Sequence, residues 1–314
     1  MTSEHTVLIL DRDAEEYVER LADLVGEGTR FLSASRPEAL PRGAEAATVV
    51  LGEPAMVREV VDRLPELAWV QSTWAGVTPL LPLARRGVVI TGVKEVFGGQ
   101  MAEYVVSGLL QQVLQLRERQ AAQRERRWWP EPTGTLAGQT LGVMGTGSIG
   151  SVIAERARSF GMRVIGFSRS GEPRPEFEAV LAFDDLHAFL GACDHVAAVL
   201  PDTPETRGLL DAPALAAMRP GASLINVGRG TLVDEPALLT ALQTGHLGGA
   251  MLDVFETEPL PSEHPFWECP RLLITAHVAA RSWPRDIARI FRENLERFRS
   301  DEPLRFRLDP ERGY

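Results

Sequence analysis

The segment Thr140-Leu-Gly-Val-Met-Gly-Thr-Gly-Ser-Ile-Gly150 decides the fold. Its apolar start, Leu141 to Met144, predicts a buried strand that runs directly into the pattern Gly145-x-Gly147-x-x-Gly150. The residues after it, up to Gly161, have the spacing of a helix. A strand, a glycine turn and a helix in this order are typical of a unit that binds the pyrophosphate of a dinucleotide. The six-residue pattern alone fits a merely tight turn equally well, so the rest of the chain has to decide.

Each glycine has a separate expected role in that unit. Gly145 permits the tight turn, Gly147 lets the backbone approach the pyrophosphate, and Gly150 lets the helix pack closely on the strand. The free N–H groups at the helix start, where Ser148 and Ile149 lie, are expected to hold the phosphates.

The bulk composition excludes several classes of function. A net charge of −10 over 314 residues argues against nucleic acid as a partner, because phosphate binding needs a basic face. No apolar run is long enough for a membrane span, and the run Val7–Leu10 is too short for a signal peptide. Cys193 and Cys269 form no metal or redox motif. We therefore expect a cytoplasmic protein without metal that acts on a small molecule.

Strands alternate with helices on both sides of residue 97, which predicts an α/β fold with two doubly wound parallel sheets. The first unit has expected strands at 6–10, 29–32, 48–51, 67–71 and 88–91, and helices at 14–25, ended by Gly26, and 55–64. A helix from 98 to about 117 leads into the second unit. That unit has six expected strands, at 140–144, 163–167, 195–199, 222–227, 248–252 and 271–275, and a last helix follows at 282–298.

The residues after the second strand of the glycine-loop unit predict which dinucleotide binds. NAD-binding proteins usually have a carboxylate here for the ribose 2′-hydroxyl. This chain has Ser168, Arg169 and Ser170, so a guanidinium is available for a 2′-phosphate. The sequence predicts a preference for NADP(H). An exposed arginine with tolerant NAD binding is the alternative.

Three further polar residues follow later strands of the same unit. Arg229, Glu258 and His277 are expected at the carboxyl edge that carries the glycine loop. Singly, they read as a surface arginine, a loop glutamate and a structural histidine. Together they suit the reduction of a carbonyl group. His277 supplies a proton, Glu258 orients the imidazole ring of His277, and Arg229 holds the substrate carboxylate.

These residues lie in motifs that resemble the D-isomer-specific 2-hydroxyacid dehydrogenases. The resemblance covers most of the chain and is carried by the segments Met101-Ala-Glu103, Leu136-Ala-Gly-Gln-Thr-Leu-Gly142, Leu200-Pro-Asp-Thr-Pro-Glu-Thr206, Met218-Arg-Pro-Gly-Ala-Ser-Leu-Ile-Asn-Val-Gly-Arg-Gly230, Asp253-Val-Phe-x-x-Glu-Pro259 and Thr275-x-His277. It implies the three roles given above. It also implies further cofactor contacts from Leu200, Pro201, Thr206, Val227, Gly228 and Asp253.

The same resemblance implies a split layout of domains. A Rossmann cofactor domain at 98–282 would be inserted into a flavodoxin-like substrate domain made of 1–97 and 283–314. The family's loop for the substrate carboxylate matches Ala75-Gly76-Val77. Two departures touch the expected substrate site: Trp74 stands where a small residue is common, and Arg281 adds a second cation.

Within the family, Ser168-Arg169-Ser170 and His277-Val-Ala-Ala280 are similar to the NADPH-using glyoxylate/hydroxypyruvate reductases. The leading hypothesis is an enzyme that interconverts a small 2-oxo acid and a D-2-hydroxy acid, with NADP preferred and NAD possible. Glu258 argues against formate oxidation, for which the family typically has Gln. Oxidation of another small anion such as phosphite, and a non-enzymatic dinucleotide sensor, are the alternatives. The charged run 117–130, with Trp128 and Trp129, is consistent with a homodimer.

Overall fold

The computed structural model describes residues 5–25 and 28–309. The chain divides into two compact units. Unit 1 consists of residues 1–96 and 282–314, and unit 2 is the continuous segment 97–281. The predicted helix end at Gly26 and the outermost residues of the predicted substrate domain, 1–4 and 310–314, lie outside the described residues.

Unit 1 is built on a parallel sheet. In chain order its described strands are β1 (His5–Leu10), β2 (Thr29–Ala34), β3 (Val49–Gly52), β4 (Trp69–Ser72) and β5 (Val89–Thr91). They lie in the order β2-β1-β3-β4-β5, and all neighbours are parallel. This is the flavodoxin-like order, which confirms the predicted fold of this unit.

Four α-helices are described in unit 1: α1 (Ala14–Arg20), α2 (Pro54–Val60), α3 (Leu81–Ala84) and α10 (Pro284–Arg299). Helix α10 returns from the far end of the chain and completes the core around Trp69. The Trp69 ring stacks on Phe291 at 5.3 Å and lies 5.2 Å from Phe298. Its indole N–H donates to Thr91 Oγ1 over 2.8 Å, which satisfies the one polar atom of a fully buried side chain.

Unit 2 is built on a second, larger parallel sheet. Its described strands are β6 (Thr140–Met144), β7 (Arg163–Phe167), β8 (Ala179–Leu181), β9 (His195–Ala198), β10 (Ser223–Asn226), β11 (Gly249–Leu252) and β12 (Leu272–Ile274). The order is β12-β11-β10-β9-β6-β7-β8. Read from β8, the first six strands have the Rossmann order, which confirms the predicted fold, and β12 adds a seventh strand to a sheet for which six were expected.

The helices of unit 2 that the structure describes are α4 (Gly98–Val113), α5 (Leu116–Arg124), α6 (Ser148–Ser159), α7 (Leu186–Gly191), α8 (Ala212–Ala217) and α9 (Glu235–Gln243). Two of them begin at aspartate caps. Asp211 accepts from the Ala214 N–H, and Asp234 accepts from the Ala237 N–H, each over 2.9 Å. Such caps satisfy N–H groups that have no partner within the helix.

Four local predictions were wrong. The expected helices 14–25 and 55–64 end as α-helices at Arg20 and Val60, and a short 3-10 turn follows each of them. The helix expected to run from 98 to about 117 breaks at Gln115, whose φ of 52° is left-handed, and α5 starts after it. Strand β8, a three-residue strand at the edge of the sheet, was not predicted; none of its residues is buried, unlike the core strands beside it.

The parallel sheet of unit 2 gathers the predicted chemistry at one edge. The glycine loop follows β6, Ser168 follows β7, and Asn226 at the end of β10 is followed closely by Arg229. Asp253 follows β11, and His277 lies three residues after β12. Because all these strands are parallel, their carboxyl ends share one edge, where ligands of such sheets bind. No helix within the described residues is both long and apolar enough to cross a bilayer.

Candidate active site

The glycine loop has the shape that a pyrophosphate requires. Gly145 has a φ of 108°, which side chains rarely adopt. A Cβ on Gly150 would lie 1.8 Å from the Gly145 carbonyl oxygen, so helix and turn touch through bare backbone. A Cβ on Gly147 would meet no protein atom within 4 Å. The space beside Gly147, at the N-terminus of the twelve-residue helix α6, therefore fits a phosphate group.

The tip of β7 carries a cation that faces a carboxylate. Arg169 Nη2 lies 3.6 Å from Glu205 Oε2, and both side chains are more than half exposed. Hydrogen bonding to Thr203, together with the backbone and the charge of Arg169, lowers the pKa of Glu205. Ser168 Oγ accepts from the Gly171 N–H over 3.2 Å. Nothing in the sequence spacing indicates Glu205, because it lies on the loop after a different strand.

That loop, which follows β9, contains three of the residues predicted to contact the cofactor. Leu200 is buried and Pro201 is exposed. The Thr206 hydroxyl donates to the Pro201 carbonyl oxygen over 2.7 Å, and it accepts from the Thr203 N–H over 2.9 Å. These bonds hold the loop in a fixed turn beside the glycine loop's edge of the sheet.

Arg229 is fixed in the turn after β10. Its Nη1 donates to the Gly228 carbonyl oxygen over 2.7 Å, while its own carbonyl oxygen accepts from Asn226 Nδ2 over 2.9 Å. The Gly228 N–H in turn donates to Asn226 Oδ1 over 3.1 Å, and the preceding Val227 is buried. Burial lowers the pKa of Arg229, against the opposing effect of the Asp202 and Glu258 carboxylates. The guanidinium remains a cation at neutral pH.

Glu258 and His277 form the predicted pair. His277 Nδ1 lies 2.8 Å from Glu258 Oε2, and Glu258 Oε1 accepts from the Phe255 N–H over 3.0 Å. One carboxylate oxygen is thus held by backbone while the other faces the imidazole. The His277 side chain is 48% exposed, so its other ring nitrogen is accessible to a small molecule.

The turn that carries His277 is held by Asp253, which is 1% exposed. Asp253 Oδ1 accepts from the Val278 N–H over 2.9 Å, and Oδ2 accepts from the Ala279 N–H over 2.8 Å. The Asp253 carbonyl oxygen accepts from the His277 N–H over 2.8 Å. His277 itself has a φ of 55°, a left-handed conformation that costs a side-chain-bearing residue about 1 kcal/mol or more.

The remaining predicted substrate residues are Arg281, in unit 2, and a turn of unit 1. The N–H of the exposed Arg281 donates to Gln100 Oε1 over 3.0 Å, and its carbonyl oxygen accepts from Gln100 Nε2 over 2.9 Å. Trp74, Ala75 and Gly76 belong to unit 1, in the turn after β4. There the Ser72 hydroxyl accepts from the Trp74 N–H over 3.0 Å, and the Trp74 side chain is 45% exposed.

The described part of unit 2 therefore brings the glycine loop, Arg169, Arg229 and the Glu258–His277 pair to one sheet edge. Such a set can hold a dinucleotide, bind an anion and move a proton. No group of three or more potential metal ligands occurs among the described residues. Three residues with contacts here were not predicted as site residues: Glu205, Thr275 and Tyr104. Tyr104 reaches Asp253 through Thr275.

Comparison with known proteins identifies the family. The profile for "D-isomer specific 2-hydroxyacid dehydrogenase, NAD binding domain" matches residues 106–279. Glyoxylate/hydroxypyruvate reductase A of Escherichia fergusonii is 38% identical over 217 residues, which is 69% of this chain and 70% of that protein.

Solved structures are similar over nearly the whole chain. A D-isomer-specific 2-hydroxyacid dehydrogenase family protein from Aeromonas salmonicida has a TM-score of 0.93 at 41% identity and covers 98% of this chain and 100% of its own. An NADPH-dependent glyoxylate/hydroxypyruvate reductase from Sinorhizobium meliloti, in complex with NADP and sulfate, has a TM-score of 0.88 at 31% identity. It covers 99% of this chain and 100% of its own. The chain belongs to the D-isomer-specific 2-hydroxyacid dehydrogenase family.

Proposed function

We propose that this enzyme is an NADPH-dependent reductase that converts a small 2-oxo acid of the glyoxylate or hydroxypyruvate type into the D-2-hydroxy acid. The observation that carries the proposal is the 2.8 Å contact between His277 and Glu258 at the edge that also holds the glycine loop and Arg229. The names of the relatives from Escherichia fergusonii and Sinorhizobium meliloti support the substrate class and the cofactor.

Each residue of the set has one task in this proposal. NADPH supplies the hydride when it is bound. His277 donates a proton to the carbonyl oxygen, which would otherwise become an alkoxide. Glu258 orients the imidazole through Nδ1, so that the other ring nitrogen faces the substrate. Arg229 holds the substrate carboxylate and polarises the carbonyl, because its guanidinium can donate two parallel hydrogen bonds.

The preference for NADPH over NADH rests on Arg169. Its guanidinium lies at the tip of β7 with Ser168 and Ser170 beside it, and none of the three would repel a 2′-phosphate. Glu205 already faces this guanidinium at 3.6 Å, so NADH remains a usable second cofactor.

Unit 1 is proposed as the substrate-binding domain and unit 2 as the cofactor domain. The turn Trp74–Val77 follows a strand of a flavodoxin-like sheet, and the carboxyl edge is where such sheets bind ligands. Within this proposal, Trp74 and Arg281 select among 2-oxo acids, Trp74 by stacking and Arg281 by its charge.

The test of the function is the loss of NADPH absorbance with a panel of glyoxylate, hydroxypyruvate, pyruvate and phenylpyruvate. Replacement of His277 by Ala is expected to lower kcat by about 10²- to 10⁴-fold without changing the affinity for NADPH. His264→Ala is the matched control, because His264 pairs with Glu235 at 3.2 Å in the same unit. It should keep the wild-type rate. No turnover with any acid of the panel would contradict the proposal.

A homodimer is proposed from the arm, defined as residues 125–135. Trp128 on this arm is 91% exposed, whereas Trp129 lies under Arg119, whose guanidinium carbon is 5.3 Å from the ring centre. An exposed tryptophan on an extended segment is typical of an interface anchor, and we propose a second copy of this chain as its partner.

Trp128→Ser should therefore raise the dimer dissociation constant by about tenfold or more in sedimentation velocity. Phe160→Ser removes another exposed aromatic ring of unit 2 and should leave the dimer intact. A wild-type monomer at all concentrations would contradict the proposed dimer.

We also propose a cytoplasmic location, since the two cysteines are free and NADPH is a cytoplasmic reductant. Cell fractionation tests this location.

A further inference from the structure

Three side chains of unit 2 form a relay from helix α4 to the turn of His277. The Tyr104 hydroxyl lies 2.5 Å from Thr275 Oγ1, and Thr275 Oγ1 lies 2.5 Å from Asp253 Oδ1. Tyr104 and Thr275 are half-buried and Asp253 is buried. Tyr104 touches none of the reacting groups, so the proposed function leaves it without a role.

The direction of the relay follows from its last member. The Asp253 carboxylate already accepts from the N–H groups of Val278 and Ala279, and a carboxylate can only accept. The Thr275 hydroxyl must therefore donate to Asp253. Thr275 Oγ1 is then the acceptor for the Tyr104 hydroxyl. Burial raises the pKa of Tyr104 to about 12, so its phenol keeps the proton that it donates.

The relay ends on the residue that fixes the catalytic histidine's backbone. Asp253 binds three successive N–H groups, with its carbonyl oxygen for His277 and its carboxylate for the two residues after it. Those bonds hold His277 at its left-handed φ of 55°. The Thr275 hydroxyl and the Val278 N–H donate to the same oxygen of Asp253, so the orientation of this carboxylate depends on both. Without the Tyr104 hydroxyl the Thr275 side chain is no longer held toward Asp253, and the carboxylate fixes the turn less rigidly.

We propose that Tyr104 is a positioning residue for the acid/base step, and that it acts through Thr275 and Asp253 to keep the imidazole of His277 aligned. The proposal deepens the proposed function and rests on the role given there to His277. Tyr104 binds neither substrate nor cofactor in it.

The first test is independent of turnover. Hydrogen exchange of the full-length protein, read by mass spectrometry on peptides that contain residues 277–279, reports the bonds that Asp253 accepts. Tyr104→Phe and Thr275→Val should each speed exchange there by about 2- to 10-fold, the range for loss of one hydrogen bond. Ser107→Ala is the control, because it removes a hydroxyl one turn further along α4 that donates to the Tyr104 carbonyl oxygen. It should not change exchange at 277–279.

The second test is kinetic. Tyr104→Phe should lower kcat by about 2- to 10-fold with an unchanged dissociation constant and stoichiometry for NADPH. The deuterium isotope effect on kcat, measured with NADPH deuterated at both C4 positions, should rise because the chemical step becomes slower. The double variant Tyr104→Phe/Thr275→Val should lose no more than Thr275→Val, since both act through one chain of contacts. Thr275→Ser should restore the wild-type rate.

The outcomes separate the two proposals. A wild-type enzyme that reduces no 2-oxo acid, with faster exchange in Tyr104→Phe, overturns the proposed function and supports the relay. Normal kcat and normal exchange in Tyr104→Phe overturn the relay and leave the function intact. Additive losses in the double variant, or a reduced stoichiometry for NADPH, would mean that Tyr104 only supports the fold.

Discussion

Arg169 follows β7, Glu205 lies on the loop after β9, and their side chains are 3.6 Å apart. In the proposed cofactor site the two side chains would act in opposite ways on the 2′-phosphate that distinguishes NADPH from NADH. The guanidinium attracts a 2′-phosphate, and the carboxylate beside it repels the same group. Because both side chains are largely exposed, the ion pair contributes little to folding. The pair would instead affect the selectivity for NADPH over NADH. That selectivity depends on how far the charge of Glu205 offsets the attraction of Arg169 for the 2′-phosphate.

Replacement of either member should shift the ratio of kcat/KM for NADPH to that for NADH. Arg169→Leu should lower the ratio by about tenfold or more, since a charge-assisted pair with phosphate is lost. Glu205→Gln should raise the ratio several-fold, because a like charge beside the phosphate is removed. Steady-state kinetics with both cofactors measure the two effects.

The control for this prediction is Glu178→Gln. Glu178 pairs with Arg163 over 3.1 Å at the opposite end of β7, away from the carboxyl edge. It should leave the ratio unchanged. A fall in the ratio for Glu205→Gln would contradict the repulsion and would mean that Glu205 holds Arg169 in its binding position.

The start of helix α6 depends on two glycines for different reasons. At Gly150 the protein's own backbone excludes a side chain, because an added Cβ would lie 1.8 Å from the Gly145 carbonyl oxygen. At Gly147 no protein atom lies within 4 Å of such a Cβ, so a side chain there would collide only with a bound ligand. One position is needed by the fold and the other by the ligand.

Two alanine variants should separate these requirements. Gly150→Ala should lower the free energy of unfolding of the cofactor-free protein by about 2 kcal/mol or more, through overpacking of helix against turn. Gly147→Ala should change that free energy by only about 1 kcal/mol, yet raise the dissociation constant of NADPH by about tenfold or more. Urea unfolding and fluorescence titration with NADPH measure them. Equal loss of stability in both variants would contradict the assignment.

Sequence patterns predicted the elements that depend on neighbours along the chain. The apolar run before Gly145 became β6, and the residues from 148 to 159 after it became α6. The break at Gln115 was not predictable, because glutamine has no preference for a left-handed φ. The break separates α4, which has a buried face, from α5, which is mostly exposed.

Within the candidate site, predictability also ended where contacts join distant parts of the chain. Arg229, Glu258 and His277 could be placed because each follows a strand of one parallel sheet. The pairing of Arg169 with Glu205 and the relay from Tyr104 could not, since Tyr104 and Thr275 are 171 positions apart. Tyr104 lies on a helix whose spacing indicates only a buried apolar face.

The stability of the folded protein should depend on pH through a buried histidine at the start of β9. His195 is 4% exposed, with Nδ1 2.7 Å from Ser223 Oγ and Nε2 2.5 Å from Gln139 Oε1. Burial lowers the pKa of His195 to about 4, against the opposing charge of Asp194. The folded protein therefore keeps this imidazole neutral under conditions in which the unfolded chain, with a pKa of about 6.5, binds a proton.

The direction in which the free energy of unfolding changes with pH follows from proton binding. Between about pH 6.5 and pH 4 the unfolded state holds one more proton at this residue, so the stability from His195 is complete above that range and is lost as the pH falls through it. Between about pH 7 and pH 5 the free energy of unfolding should fall by about 1–2 kcal/mol from this group. His195→Gln should show a smaller fall in urea unfolding. His187→Gln, at an exposed position, should keep the wild-type dependence; an unchanged slope in His195→Gln would contradict the assignment.

The return of α10 to unit 1 has a consequence for how the chain acquires its structure during synthesis. Asn294 donates from Nδ2 to Gln71 Oε1 over 3.0 Å, and these two buried residues are 223 positions apart. Trp69 likewise packs against two aromatic rings of α10, Phe291 and Phe298. The ribosome therefore delivers every residue of unit 2 before it delivers the helix that seals the first sheet. Unit 2 can fold in one continuous stretch, while the nascent β4 keeps its indole uncovered until the last helix emerges.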